Sequence, residues 1–322
     1  MTEPAIVLCP GQGAQFVGMG RAWRDRSPEA AAVFAEADGI LGDSLGAPLS
    51  TLCFEGPEDQ LNRTDISQPA IYTCSVACWR GLLASEGVSE NDIRLAATAG
   101  LSLGEYTALY IAGAMSFEAG LRIVALRGRA MQDAAEAAPS GMVAIIGAED
   151  EAAMAICDQA RGADVLVGAN FNAPGQVVLS GSLPACDRAA KIAIDKGLRA
   201  TKLPVAGAFH SPIMRPAADR LAEALAKAEI RAPRCPVYSN VTAQAHTPQP
   251  EQIKARLVEQ LMAPVRWAAE CRNMAGDLSG SGASAGAPAG SWLELAPGKT
   301  LSGLMRRIDR SVKVENHDEP KD

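Results

Sequence analysis

The chain has 322 residues, 48% of them hydrophobic and only 4% aromatic, with a formal net charge of −7. That length buries a large core, in one large domain or two smaller ones. The acidic balance argues against nucleic acid as the main partner, and no apolar run approaches the ~18 residues of a membrane span.

The first residues, MTEPAIVLCP, carry no basic segment, so no secretory leader is expected. The eight cysteines (Cys9, Cys53, Cys74, Cys78, Cys157, Cys186, Cys235 and Cys271) are scattered through apolar segments without a C-x-x-C. They read as reduced core thiols of a cytoplasmic protein. Cys74 and Cys78 share a helix face, but a metal site needs two more ligands, so none is expected.

Ala5 to Cys9 predicts a first buried strand running into Pro10-Gly11-Gln12-Gly13-Ala14-Gln15. A dinucleotide fingerprint there fails at its third glycine, where Phe16 stands. What remains is a tight turn with a surface glutamine, or one whose glutamines meet a polar ligand. Residues 28–41 predict a helix, and Ser67 to Ala84 a more apolar one with Pro69 near its start.

Residues 93–99 predict a buried strand and 103–112 a helix. Between them Gly100-Leu101-Ser102-Leu103-Gly104 has the Gly-x-Ser-x-Gly spacing of a nucleophile elbow. So tight a turn admits only glycine on either side of the serine. It lifts the Ser102 hydroxyl clear of the backbone and aims N–H groups, that of Leu103 first, at a bound carbonyl oxygen. The alternative is a plain strand-to-helix turn. A second match, Gly282-Ala283-Ser284-Ala285-Gly286, sits in a Ser/Gly/Ala run with no strand or helix around it, and context rejects it.

Residues 116–136 predict a helix with Phe117, Leu121, Val124, Gly128 and Met131 on one stripe. Arg122 and Arg129 fall opposite. Arg127 lies at the stripe's edge, where an arginine either meets an anion or supports the structure. From Met142 the order changes to strand (142–148), helix (149–161), strands (165–169 and 176–180), helix (183–196) and strand (199–203). That is a ferredoxin-like β-α-β-β-α-β unit. The expected organisation is a discontinuous α/β domain of residues 1–138 and 206–322, with a small ferredoxin-like domain at 139–205.

Of the three histidines, His317 stands in a charged tail and His246 in a Pro/Gln-rich loop. His210, in AFHSPIM, precedes a helix over 213–228. A serine nucleophile needs a base, and elimination leaves His210; otherwise it is a helix-start histidine. A strand over 235–241 follows, then helices at 251–262 and 265–276 parted by Pro264. Next come a flexible loop (279–290), a last strand Trp292 to Leu295, and a basic last helix Thr300 to Ile308.

In order, PGQGAQ (10–15), GLSLGEY (100–106), LRGRAMQ (126–132), NAPGQVV (172–178), AFHSPIM (208–214) and APGKTL (296–301) resemble the malonyl-CoA:acyl carrier protein transacylases of fatty acid synthesis and the acyltransferase domains of polyketide synthases. The resemblance spans residues 4–310. It implies an α/β-hydrolase-like domain with a parallel sheet and an inserted ferredoxin-like domain. It makes Ser102 the acylated nucleophile, His210 its base and Gln260 the backbone carbonyl that orients the histidine. The N–H groups of Leu103 and Gln12 become the oxyanion hole, and Arg127 the partner of the malonyl carboxylate. Malonyl-CoA and an acyl carrier protein are the implied partners of a monomer that needs no metal or redox cofactor. Phe209 matches the malonyl-selective form of its motif. Leu101 departs from the family, which usually has His there. The rivals are a serine hydrolase or thioesterase, and a nucleotide-binding or carrier-docking module with an inert Ser102. Basic residues for a carrier cluster at Arg188, Lys191, Lys196, Arg199 and Lys202, and at Lys299, Arg306 and Arg307.

Overall fold

A computed structural model describes residues 3–280 and 290–321; the second Gly-x-Ser-x-Gly match lies outside them. Two sheets organise the chain. The first is wholly parallel, in the order β2 (Leu95–Gly100), β1 (Ala5–Cys9), β7 (Ser291–Leu295), β8 (Val314–His317). All five residues of β1 are buried. Ala5, Val7 and Cys9 enter one apolar cluster, and Ile6 and Leu8 the cluster on the other face. Burial on both faces makes such a strand continuously apolar.

Helices α1 (Pro28–Leu41), α2 (Thr64–Ser85), α3 (Gly104–Ile111) and α4 (Phe117–Ala137) contribute to the larger cluster. Helix α4 is capped by Ser116, whose hydroxyl accepts from the Ala119 N–H. Helix α2 is buried along almost its whole length. It begins three residues before the expected start and runs through Pro69, which is therefore its sixth residue, past the first turn, with no N–H to donate four residues back.

The second sheet is antiparallel, in the order β4 (Leu166–Ala173), β5 (Gln176–Ser182), β3 (Ser140–Ile146), β6 (Arg199–Lys202). Helices α5 (Asp150–Arg161) and α6 (Leu183–Asp195) supply the crossovers. Counted within the unit, this strand order is that of a ferredoxin-like sheet. Strand β4 extends through Asn172 and Ala173, so the turn is reduced to Pro174 and Gly175. After it come α7 (Arg215–Lys227), entered by a 3-10 turn at Pro212–Met214, then α8 (Pro250–Gln260), α9 (Trp267–Gly280) and α10 (Thr300–Ile308).

Two expectations fail. Residues 235–241 form no strand. The backbone bonds that tie them to β2 are Thr98 N–H to Pro236 O (2.9 Å) and Tyr238 N–H to Thr98 O (3.0 Å), too few for a strand. Pro236 has no N–H to continue a ladder, and the chain then turns at Ser239. Nor is Trp292 to Leu295 the last strand. β8 follows, pairs with β7 and buries His317 at 6% exposure. The charge of ENHDEPKD reads as a solvated tail, whereas an edge strand faces solvent on one side.

Candidate active site

The elbow stands where β2 ends. A Cβ on Gly100 would lie 2.0 Å from the Gly104 carbonyl carbon, and one on Gly104 would lie 2.1 Å from Cys9 O. Neither position accepts another residue. Between them Ser102 takes a left-handed φ of 53°, a conformation that costs an L residue on the order of 1–2 kcal/mol. The turn lies against the Pro10–Gly13 loop at the carboxyl ends of β1 and β2, the usual place for a ligand in an open parallel sheet.

His210, also left-handed at φ 55°, places Nε2 2.9 Å from Ser102 Oγ. Its Nδ1 lies 2.7 Å from the backbone carbonyl of Gln260. A carbonyl only accepts, so Nδ1 carries the proton and Nε2 is free to take one from the serine. Burial first, and then the Arg127 charge, hold the imidazole down to about 4 against the Gln260 bond, which works the other way. The imidazole is therefore neutral at physiological pH. Among the described residues no carboxylate touches His210; a peptide dipole does the orienting.

Arg127 is 1% exposed. Its Nη2 donates to Ser102 Oγ (3.1 Å) and Gln260 Oε1 (3.0 Å), and its Nη1 to Gln68 Oε1 (2.7 Å). Its Nε has no partner among the described residues, and its Cζ lies 5.3 Å above the centre of the Tyr106 ring. Burial works against this charge; Tyr106 and the Glu105 carboxylate support it. Arg122 and Arg129 are exposed; Arg122 pairs with the surface carboxylate of Glu118, and Arg129 with Asp133 and the buried Asp65.

Among the described residues neither the Leu103 nor the Gln12 backbone N–H has a protein acceptor. The Gln12 side chain donates to Thr64 Oγ1 at 3.2 Å. A cavity of about 550 Å³ opens over Ser102 and His210. One wall is Gln12, Leu101, Met131 and Phe209; the facing wall is Met142, Asn170, Asn172 and Val178 from the antiparallel sheet. Asn172 Oδ1 is buried there without a partner. A cavity of about 530 Å³ beside Trp23 and His317 holds none of these groups.

A buried polar layer behind the serine was not foreseen. Gln260 Nε2 donates to Ser102 O (3.0 Å) and Glu105 Oε2 (2.6 Å). Glu105 Oε1 accepts from His246 Nε2 at 2.6 Å. So His246 belongs to the back of the site, its side chain 2% exposed, rather than to a loose loop. Asn240, whose Oδ1 accepts from the Ser102 N–H at 2.6 Å, completes the layer. Glu105 lies inside GLSLGEY; Asn240 and His246 carry no local sequence signal. Three expected docking cations are neutralised: Arg188 by Asp164, Lys191 by Asp195 and Lys202 by Asp187. Lys196, Arg199, Lys299 and Arg306 have no acidic partner among the described residues, and Arg307 holds Gln176 and Pro174 O instead.

A serine made nucleophilic by a neutral histidine, on an elbow between a strand and a helix, defines a class of proteins that pass acyl groups through a seryl ester. Residues 6–288 match the acyl transferase domain family. The malonyl CoA-acyl carrier protein transacylase of Bacillus subtilis is 39% identical over 309 residues, 95% of this chain and 91% of its own. The crystal structure of malonyl-CoA:acyl carrier protein transacylase from Xanthomonas oryzae superposes with a TM-score of 0.88 at 39% identity, covering 99% of this chain and 96% of its own. A malonyl-transacylase in complex with its type II polyketide acyl carrier protein gives 0.88 at 35% identity, over 99% and 97% of the two chains. The chain belongs to the acyl transferase family.

Proposed function

We propose that this protein transfers a malonyl group from malonyl-CoA to the phosphopantetheine thiol of an acyl carrier protein. The observation that carries this reading is the buried guanidinium of Arg127 in contact with the nucleophile itself. A malonyl ester on Ser102 ends in a carboxylate three bonds from Oγ. A fixed, desolvated cation beside Oγ meets that group with two parallel hydrogen bonds. To do so Arg127 gives up its bonds to Ser102 and Gln260.

In the first half-reaction His210 Nε2 takes the Ser102 proton as Oγ attacks the thioester carbonyl. The N–H groups of Leu103 and Gln12 hold the oxyanion, each worth about 3 kcal/mol in comparable sites. The C–S bond breaks, the imidazolium returns its proton to the leaving sulfur, and coenzyme A departs. In the second half-reaction His210 takes the carrier thiol's proton, the thiolate attacks the malonyl-serine, and the proton passes back to Ser102. These steps use no metal or redox cofactor. Every residue named comes from one chain, which suits a monomer, and eight buried free thiols suit the reducing cytoplasm.

A hydrolase of uncharged acyl chains has no use for Arg127, and an inert docking module has none for the Ser102–His210 pair. Intact-mass measurement after mixing with malonyl-CoA tests all three. A persistent malonyl adduct that a carrier protein discharges supports the transferase. Rapid release of malonate points to the hydrolase, and no adduct to the docking module.

A further inference from the structure

Asn240 is fully buried and every hydrogen-bonding atom it owns is used. Its Oδ1 accepts from the Ser102 N–H at 2.6 Å, and its Nδ2 donates to Gly100 O at 2.8 Å. An N–H only donates and a carbonyl only accepts, so the amide orientation is fixed. Nδ2 also donates to Glu270 Oε2 (2.8 Å), and Gln260 Nε2 approaches Oδ1 at 3.3 Å. The backbone N–H donates to Glu105 Oε2 (3.2 Å), and the backbone carbonyl accepts from the Arg266 N–H (2.9 Å). The side chain thus spans the two peptide groups on either side of Leu101, where the chain turns into its left-handed serine.

We propose that Asn240 is a positioning residue for acyl transfer: its side-chain amide clamps Gly100 and Ser102 and holds the strained elbow in the orientation from which Oγ attacks. The inference rests on the acyltransferase reading. Glycines permit the turn but do not choose it; a donor and an acceptor on one rigid group do. The clamp is anchored to α3 through Glu105, to α9 through Glu270 and to His210 through Gln260. A shift at Asn240 therefore moves nucleophile and base relative to each other.

Asn240→Asp keeps the acceptor for the Ser102 N–H but points a carboxylate oxygen at Gly100 O and Glu270. The titratable and charged side chains around it are Glu105 and Glu270 directly, His246 behind Glu105, and Arg127 and His210 beyond Gln260. Two neighbouring carboxylates favour a proton on the new group, and the protonated acid can donate to Gly100 O. The expected result at pH 8 is a fall of about 10²-fold in the acylation rate, with KM for malonyl-CoA changed less than about threefold because Arg127 and the cavity are intact. The rate should recover by about tenfold as the pH falls towards 6, a range over which the wild type is flat. Asn240→Asp with Glu270→Gln restores the bond to α9 in the opposite sense, while Gly100 O stays without a donor. Thermal stability should recover and the rate should not. An N240D rate within about threefold of wild type at every pH overturns the inference, as does a rate that recovers together with stability in the double variant. A wild type that takes up no malonyl group overturns the acyltransferase reading as well.

Discussion

The guanidinium of Arg127 donates to the hydroxyl oxygen of Ser102 from 3.1 Å, so the cation and the nucleophile touch before any substrate arrives. Substrate choice follows from that contact. Arg127→Ala should lose malonyl transfer by on the order of 2–4 kcal/mol and lose little for acetyl. Arg127→Lys should fall between, because an ammonium cannot copy the paired hydrogen bonds. Arg122→Ala, at an exposed position, should be silent. Competition between malonyl-CoA and acetyl-CoA in one assay decides it; equal losses for both would make Arg127 a structural support.

In the proposed mechanism Ser102 and His210 work as a unit. Ser102→Ala and His210→Ala should each lower acylation by several orders of magnitude, and the double variant should be little worse than either. Both should fold, because Gly100, Gly104 and Asn240 set the turn. Burst measurements on the three variants check this, and multiplicative losses would separate the pair.

The pH profile should be unusual for a histidine base. With the imidazole held near 4, kcat/KM for malonyl-CoA should stay flat from neutral pH to about pH 5 and fall only below it, since the base must be unprotonated. A bound malonyl carboxylate offsets the Arg127 charge that depresses the imidazole. The acid limb of kcat should therefore lie at higher pH than that of kcat/KM. Coincident limbs would mean that the carboxylate does not reach Arg127.

Glu270 is buried, and desolvation first, then Glu105, push its carboxyl well above the ordinary range. A raised folded-state value favours the folded protein below about pH 4.5, and this contribution is lost as pH rises through the folded value. Glu270→Gln removes that loss and should stabilise the protein at neutral pH by on the order of 1 kcal/mol. Thermal unfolding of both forms at pH 5 and pH 8 checks it. The gain should be larger at pH 8.

A carrier protein with an acidic surface would meet cations at the cavity mouth. Lys299 and Arg306 flank Thr300, Leu301 and Leu304, which line the cavity. Charge reversal at both should raise KM for the carrier at low salt and flatten its salt dependence, while acylation by malonyl-CoA changes less. Reversal of Lys191, already paired with Asp195, should do little. An unchanged salt profile in the double reversal would remove these residues from the docking surface.

The elbow could be read from the chain because its demands are local. Gly100 and Gly104 are fixed by contacts within a few residues or with the adjacent strand, and the spacing records them. Arg127 betrayed itself by standing beside an apolar stripe. The supporting layer is different in kind. Asn240 reaches Ser102 across 138 positions, and His246 reaches Glu105 across 141. No periodicity encodes such pairings. His246 looked loose because Pro and Gln surround it, and β8 looked like a tail because one face of an edge strand is polar.

The antiparallel sheet enters and leaves the rest of the molecule at nearly one point. The Leu203 N–H reaches Met142 O at 3.0 Å, and the Ala208 N–H reaches the Ser140 hydroxyl at 3.1 Å. Ser102, His210, Arg127 and Asn240 all lie outside it, while Met142, Asn170 and Val178 face them from within. Bond-making and the shape of the facing wall are thus written in separate stretches of sequence, joined by two neighbouring strand ends and by the backbone bonds of Ala169 and Phe171 with Val265. Exchanging residues 140–203 for the matching stretch of a relative should alter the wall while Ser102, Arg127 and Asn240 keep their contacts; His210 keeps its place where the incoming stretch preserves the Ser140 and Ser180 hydroxyls, which hold the Ala208 N–H and Phe209 O.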